Sequence, residues 1–160
     1  MCIRDRFNIN YSLSFLINKT TDAEISITMS EHSNDHFRPD IIDSRFLAAI
    51  KGNGGPEGNL TWNIFDSTQN PKSLIDYVRG AEVSSKVADL ISIDGIFNRK
   101  LKNLNLAYGF QLNKESLDIY YDEISRAEFD KDGKLIKTAD LFFLGGGINL
   151  SKSRTSNALL

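Results

Sequence analysis

The residues able to do chemistry are few, and they are scattered along the chain. The two histidines are His32 and His36, with Glu31, Asp35 and Asp40 around them. An i, i+4 histidine pair is a metal-ligand spacing on a helix, and carboxylates could complete the shell. The stretch EHSNDHFRPD lacks the HExxH order, however, and its Ser, Asn, Asp and Pro content predicts a solvated loop, so no metal site is expected. Asp130-Lys131-Asp132-Gly133 resembles the opening of a calcium loop, but Leu141 stands at the twelfth position, where such a loop needs glutamate. A hairpin turn with glycine at positive φ is the simpler reading.

Other constellations fail in the same way. Gly52 to Gly58, GNGGPEG, has the glycines of a phosphate cradle. It lacks the Lys-Ser/Thr and the helix start that would offer N–H groups to an anion, and is expected to be a mobile loop. Both histidines lie in one polar stretch and no Gly-x-Ser-x-Gly elbow occurs, so a hydrolytic triad is hard to build. Asp118 and Asp122 are a carboxylate pair that alternation puts on one strand face, where acids are common without catalysis. Arg99, Lys100 and Lys102 form the densest basic cluster, with no aromatic stacking platform beside them. Asn18-Lys19-Thr20 and Asn59-Leu60-Thr61 match glycosylation sequons at a level chance would supply. No catalytic, cofactor-binding or metal residues are assigned, no cofactor is expected, and an enzyme is the weakest reading.

The elements that would position a site are mostly strands. In Leu101 to Leu112, LKNLNLAYGFQL, the residues Leu104, Leu106, Tyr108, Phe110 and Leu112 alternate with small or polar ones. A period of two over this length predicts a strand with one apolar face. Phe7 to Ile17 repeats the pattern, Asn18 to Asp22 is a turn, and Ala23 to Met29 alternates again, which predicts a hairpin. Residues 31–40 read as a loop, and Ile41 to Ile50 fits a short helix or a buried strand equally well. Leu60 to Phe65 reads as a strand. Pro71 followed by Leu74, Ile75, Tyr77 and Val78 predicts a helix, and Val83, Val87, Leu90 and Ile91 could carry it on to 91. Asp94-Gly95 and residues 113–115 read as turns flanking the 101–112 strand. Residues 116–124 alternate, 130–134 reverse the chain, and 135–150 read as a long strand in which Gly145-Gly146-Gly147 marks a bend, a bulge or a close backbone approach.

Composition bounds the class. A hydrophobic fraction of 41% with 10% aromatics is too rich for disorder. A formal net charge of -2 with both signs interspersed gives no electrostatic footprint for a phosphate backbone, so nucleic acid is not an expected partner. No apolar window reaches the length of a membrane-spanning helix. Met1 to Arg6, MCIRDR, looks like the read-through of a transposase adapter end rather than biological sequence. The fold is therefore read from Phe7, with the only cysteine, Cys2, left out and an unknown upstream length expected to be missing.

The expected fold is mainly β, an antiparallel meander or barrel with a short helical insertion around 72–91. Residues 7–150 are expected to form one β-rich domain or a fragment of a larger one, with 151–160 as a polar tail. In their apolar-x strands and GGGINL close, these segments are similar in style to bacterial outer-membrane proteins, although no family matches residue by residue. That likeness implies an incomplete porin-like membrane β-barrel or channel in the cell envelope. Its partners would be the outer-membrane lipid bilayer and small polar solutes. The alternative is a soluble or periplasmic β-sandwich or barrel module with a structural, adhesive or lipid-binding role, since a sheet with one solvated face alternates in the same way.

Overall fold

A computed structural model describes residues 2–159. Strands β1 (Cys2–Asn18) and β2 (Thr21–Ile41) form a hairpin about Lys19-Thr20. Helices α1 (Asp43–Ile50) and α2 (Lys72–Val78) follow, and β3 (Arg79–Leu101) and β4 (Leu104–Tyr121) make a second hairpin. The short strands β5 (Glu128–Phe129) and β6 (Leu135–Lys137) precede β7 (Leu150–Leu159). One five-stranded sheet has the order β1-β2-β3-β4-β7, and β5 pairs with β6 in a separate antiparallel sheet.

That order overturns the expectation of a porin-like outer-membrane barrel or channel. β1 and β7 are the two edges of the larger sheet, so among the described residues both sheets are open. The physical reason lies in the strands themselves. Alternation encodes one apolar face, whereas closure also requires the last strand to meet the first. β7, LSKSRTSNAL, is polar on both faces over most of its length and is exposed nearly throughout. Among the described residues no helix is long and apolar enough to cross a membrane.

Several boundaries also differ from expectation. Residues 31–40 extend β2, which lies between β1 and β3, so that backbone pairing across the sheet overrides the loop-like composition. Asp94-Gly95 and residues 113–115 lie inside β3 and β4. The helix after Pro71 stops at Val78: Ala81, Val83, Val87, Ile91 and Ile93 also fit a period of two, and pairing with β2 and β4 decides between the periods. Of residues 41–50, Ile41 ends β2 and Asp43–Ile50 is helix; Leu60 to Phe65 contributes only a bridge to Gly54, and 151–159 of the expected tail belong to β7. Of the long strand expected over 135–150, only β6 and the start of β7 are extended.

The chain divides into two compact units. One contains Ile3–Asn34, Lys86–Asp118 and β7. Its strands pair early residues of one with late residues of the next, as antiparallel ladders require. On the polar face Asn10 donates to Thr28 at 2.8 Å, Ser12 to Glu24 at 2.6 Å and Asn98 to Asp22 at 2.9 Å. On the apolar face Phe97 stacks on Tyr108 with ring centroids 5.3 Å apart. A Cβ at Gly109 would lie 2.4 Å from the Gly95 carbonyl oxygen, so this pair of glycines permits the close approach there. β1 is exposed along its whole length, including Phe7, Tyr11 and Leu13.

The other unit is built on Asp35–Ser85 and Ile119–Asn149. Its core is Ala49, Leu74 and Val78, packed by Ile41, Phe46, Leu60, Trp62 and Tyr77. α1 ends where Gly52 takes φ +85°, the left-handed conformation glycine reaches most cheaply. Glu82 is 2% exposed and is paired with Arg38, whose own side chain is half in solvent. The bond to Glu82 raises the Arg38 guanidinium further above its ordinary value, against a smaller opposing effect of burial.

Breaking this pair from the exposed side leaves a buried carboxylate without its cation. Arg38→Ala is expected to cost about 3 kcal/mol in urea unfolding, and Glu82→Gln added to it less than the sum of the single changes. A loss below about 1 kcal/mol for Arg38→Ala would place the pair with ordinary exposed salt bridges.

Candidate functional site: an apolar trough beside α2

The site lies within the second unit. The end of β2 supplies Phe37, Pro39 and Ile41, the start of β3 supplies Ala81 and Val83, and Asp122 and Ile124 follow β4. Ile75 and Val78 of α2, with Trp62 and Phe143, stand along the side. Together they enclose about 900 Å³ that opens to solvent, lined mainly by hydrocarbon and aromatic rings. Ala81 and Val83 face the trough while Glu82 and Ser84, which alternate with them, are buried, which is the period-two rule applied to the segment whose helical spacing was misleading.

Two aspartates hold the walls in place. The Asp40 carboxylate accepts from the backbone N–H groups of Ile41 at 2.7 Å, Leu144 at 2.8 Å and Phe143 at 3.2 Å. It therefore fixes the segment carrying Phe143 against the end of β2. Asp140 accepts from Ser44 N at 2.7 Å and from Ser44 Oγ at 2.6 Å, doing for the first turn of α1 what its N-cap residue, Ile42, cannot. Edge-to-face rings then run from Trp62 through Phe46 and Phe142 to Phe143, with successive centroids 5.5, 5.2 and 4.8 Å apart. Both ends of that series line the trough.

Polar backbone around the site is satisfied internally. Ser125 is fully buried, and its hydroxyl accepts from Val83 N at 2.9 Å. Its carbonyl accepts from Gly147 N at 3.0 Å, and a Cβ on Gly146 would sit 2.1 Å from that oxygen. The triple glycine thus permits a close backbone approach, one of the outcomes its composition suggests. Behind Trp62, Asn63 N donates to Asn70 Oδ1 at 2.8 Å. Asp66 caps the 3-10 turn Ser67–Gln69 through Thr68 and Gln69.

The sequence candidates lie elsewhere or serve the backbone. His32 Nδ1 is 3.2 Å from the Asp5 carbonyl oxygen, and His36 Nε2 is 3.7 Å from Cys2 Sγ. Both histidines are strand residues, and among the described residues no group of three or more His, Cys, Asp or Glu side chains could hold a metal. Asp130 accepts from Asp132 N at 3.0 Å and Lys134 N at 2.8 Å, and Gly133 has φ +79°, the hairpin turn its composition predicts. Gly54 and Gly55 are buried, and a Cβ on Gly54 would meet Ala49 and Leu74, so this part of the 52–58 loop is packed rather than mobile. Asp122 accepts from Ser125 N at 2.9 Å, and Asp118 belongs to the other unit. Sequence reasoning missed Asp140, Ser125 and Glu82. An Asp in a presumed strand, a Ser after a strand and a Glu in a presumed helix carry no local signal of these roles.

Compared with known protein families, with curated proteins and with solved structures, the chain matches none.

Two outcomes follow from the polar supports. Asp40→Asn keeps the shape but removes the charge and replaces one of the two accepting oxygens with an NH2 donor. It is expected to cost about 1.5–3 kcal/mol by chemical denaturation and to increase amide exchange at Phe143 and Leu144. Hydrogen bonds from Thr68 and Gln69 lower the Asp66 carboxyl below its ordinary value, those from Thr68 contributing most. Its stabilising effect is complete above the ordinary carboxylate range near pH ~4 and is lost as pH falls through the lower folded value. Trp62 emission should therefore stay constant down to about pH 4 and change below it, and Asp66→Asn should remove that acid step.

Proposed function

We propose that this chain is a non-enzymatic β-module that binds a hydrophobic ligand, with the trough beside α2 holding an alkyl or acyl chain. The observation that carries the reading is the trough itself. Its volume of about 900 Å³ lies within the range of small-molecule sites, and its lining is chiefly Phe37, Ile41, Trp62, Ile75, Val83 and Phe143. The charged groups at its margin are engaged within the chain: Asp40 with backbone N–H groups, Asp122 with Ser125, and Arg79 with Asp76 at 3.5 Å. What is left to offer a ligand is apolar surface, so affinity would come from burying hydrocarbon while any polar head stays in water. The open sheets favour this reading over a channel.

Trp62 is the only tryptophan and lines the trough, which makes the protein its own reporter. Titration with a long-chain fatty acid below its micellar concentration should give a saturable change in Trp62 emission. Val83→Asp, which puts a charge on the trough wall, should weaken binding at least about tenfold, and Ala81→Phe should do the same by filling space. No saturable response in a folded protein, or equal affinity in all three proteins, would refute the assignment.

A further inference from the structure

We infer that the unit containing β1 carries a second, independent site: its apolar sheet face and basic turns form a docking surface for an anionic phospholipid membrane. The inference uses no residue of the trough. Along β1, Ile9, Tyr11, Leu13 and Phe15 stand on one face, between 40% and 65% exposed. Phe97 and Tyr108 continue that face on β3 and β4. Over the span Phe7 to Ile17 the face is about 33 Å long. The opposite face bears Asn10, Ser12, Glu24 and Thr28, joined by hydrogen bonds.

Charge decides what would cover the apolar face. Lys100 N donates to Thr20 O at 2.7 Å, which brings the β1–β2 turn to the end of β3. Lys19, Arg99, Lys100 and Lys102, all exposed, thereby gather at one end of the unit. The acid nearest them in the chain, Asp22, already accepts from Asn98 at 2.9 Å. Glu31 and Asp89 lie farther along β2 and β3, beside Lys114 around a pocket of about 320 Å³. Hydrocarbon surface that terminates in four cations is complementary to acyl chains that terminate in phosphate. Apolar burial and electrostatic attraction together supply the two contributions that stable membrane association requires.

The test is co-sedimentation of the full chain with vesicles of phosphatidylglycerol and, separately, of phosphatidylcholine, at low and at physiological salt. Binding to phosphatidylglycerol, weaker with salt and much weaker to phosphatidylcholine, is expected. Lys19→Glu with Lys102→Glu changes only turn residues and should reduce that binding at least about tenfold without altering the melting curve. Leu13→Asp should reduce it as well, whereas Val83→Asp should leave it intact, so failure of the trough reading and failure of this one are separable. Equal binding to both vesicle types, no binding, or an unchanged double variant would overturn the inference. So would a stable dimer that excludes vesicles, since the face would then be covered by a second copy.

Discussion

The Asp40 carboxylate is the support on which the trough-bearing unit depends. Three backbone N–H groups converge on it, two of them from residues about a hundred positions later in the chain. A carboxylate accepting several N–H donors is among the stronger hydrogen-bonded arrangements a protein can make. Asp40 fixes the position of Phe143, which is 74% exposed and contributes little burial of its own, while Phe142 is held by its N–H on the Ile41 carbonyl at 3.0 Å and by its ring contact with Phe46. Asp140, at the start of the same segment, caps α1. One short stretch therefore closes the aromatic series and completes a helix end.

The same unit joins two kinds of order. Ala49, Leu74 and Val78 form a small hydrophobic centre between the helices, while Glu82, Ser84 and Ser125 are buried beside the sheet. Burying so much polarity near a core of three residues is tolerable only because the groups are matched: Glu82 with Arg38, and Ser125 with backbone on both sides. Ile41, Trp62 and Val78 belong to this centre and also line the trough, so the one apolar cluster supplies part of the wall. A concave apolar surface is kept open by a frame held together through hydrogen bonds.

Legibility in the sequence followed the range of the interactions. Phe7 to Ile17, Ala23 to Met29 and Leu104 to Leu112 were readable as strands because alternation is local, whereas the turn at 102–103, inside the strand expected over 101–112, was not. The 130–134 reversal was readable because Asp and Gly carry turn chemistry in their own side chains and backbone. Residues 31–40 and 79–91 were not. In one, loop-like composition hides a strand whose partners lie across the sheet; in the other, two periods coexist and only the neighbouring strands choose between them. Sheet closure was also illegible, since it depends on whether two edges meet. The trough could not be read either, because its walls come from segments joined by Asp40 and Asp140 over long separations.

The two edges of the large sheet are chemically unlike. β1 is charged only at its start, at Arg4, Asp5 and Arg6, and has neither charge nor proline from Phe7 to Asn18, whereas β7 carries Lys152 and Arg154 along its exposed length. Growth of a fibre by strand addition needs two receptive edges on every copy, one to accept and one to extend. Lysine and arginine on an edge discourage such pairing, so β7 is poorly suited to it. Pairing through β1 alone would occupy the receptive edge of both copies at once, in a two-fold arrangement that leaves none for a third. Any strand addition at this sheet would therefore be expected at β1 rather than at β7, and would stop at a pair.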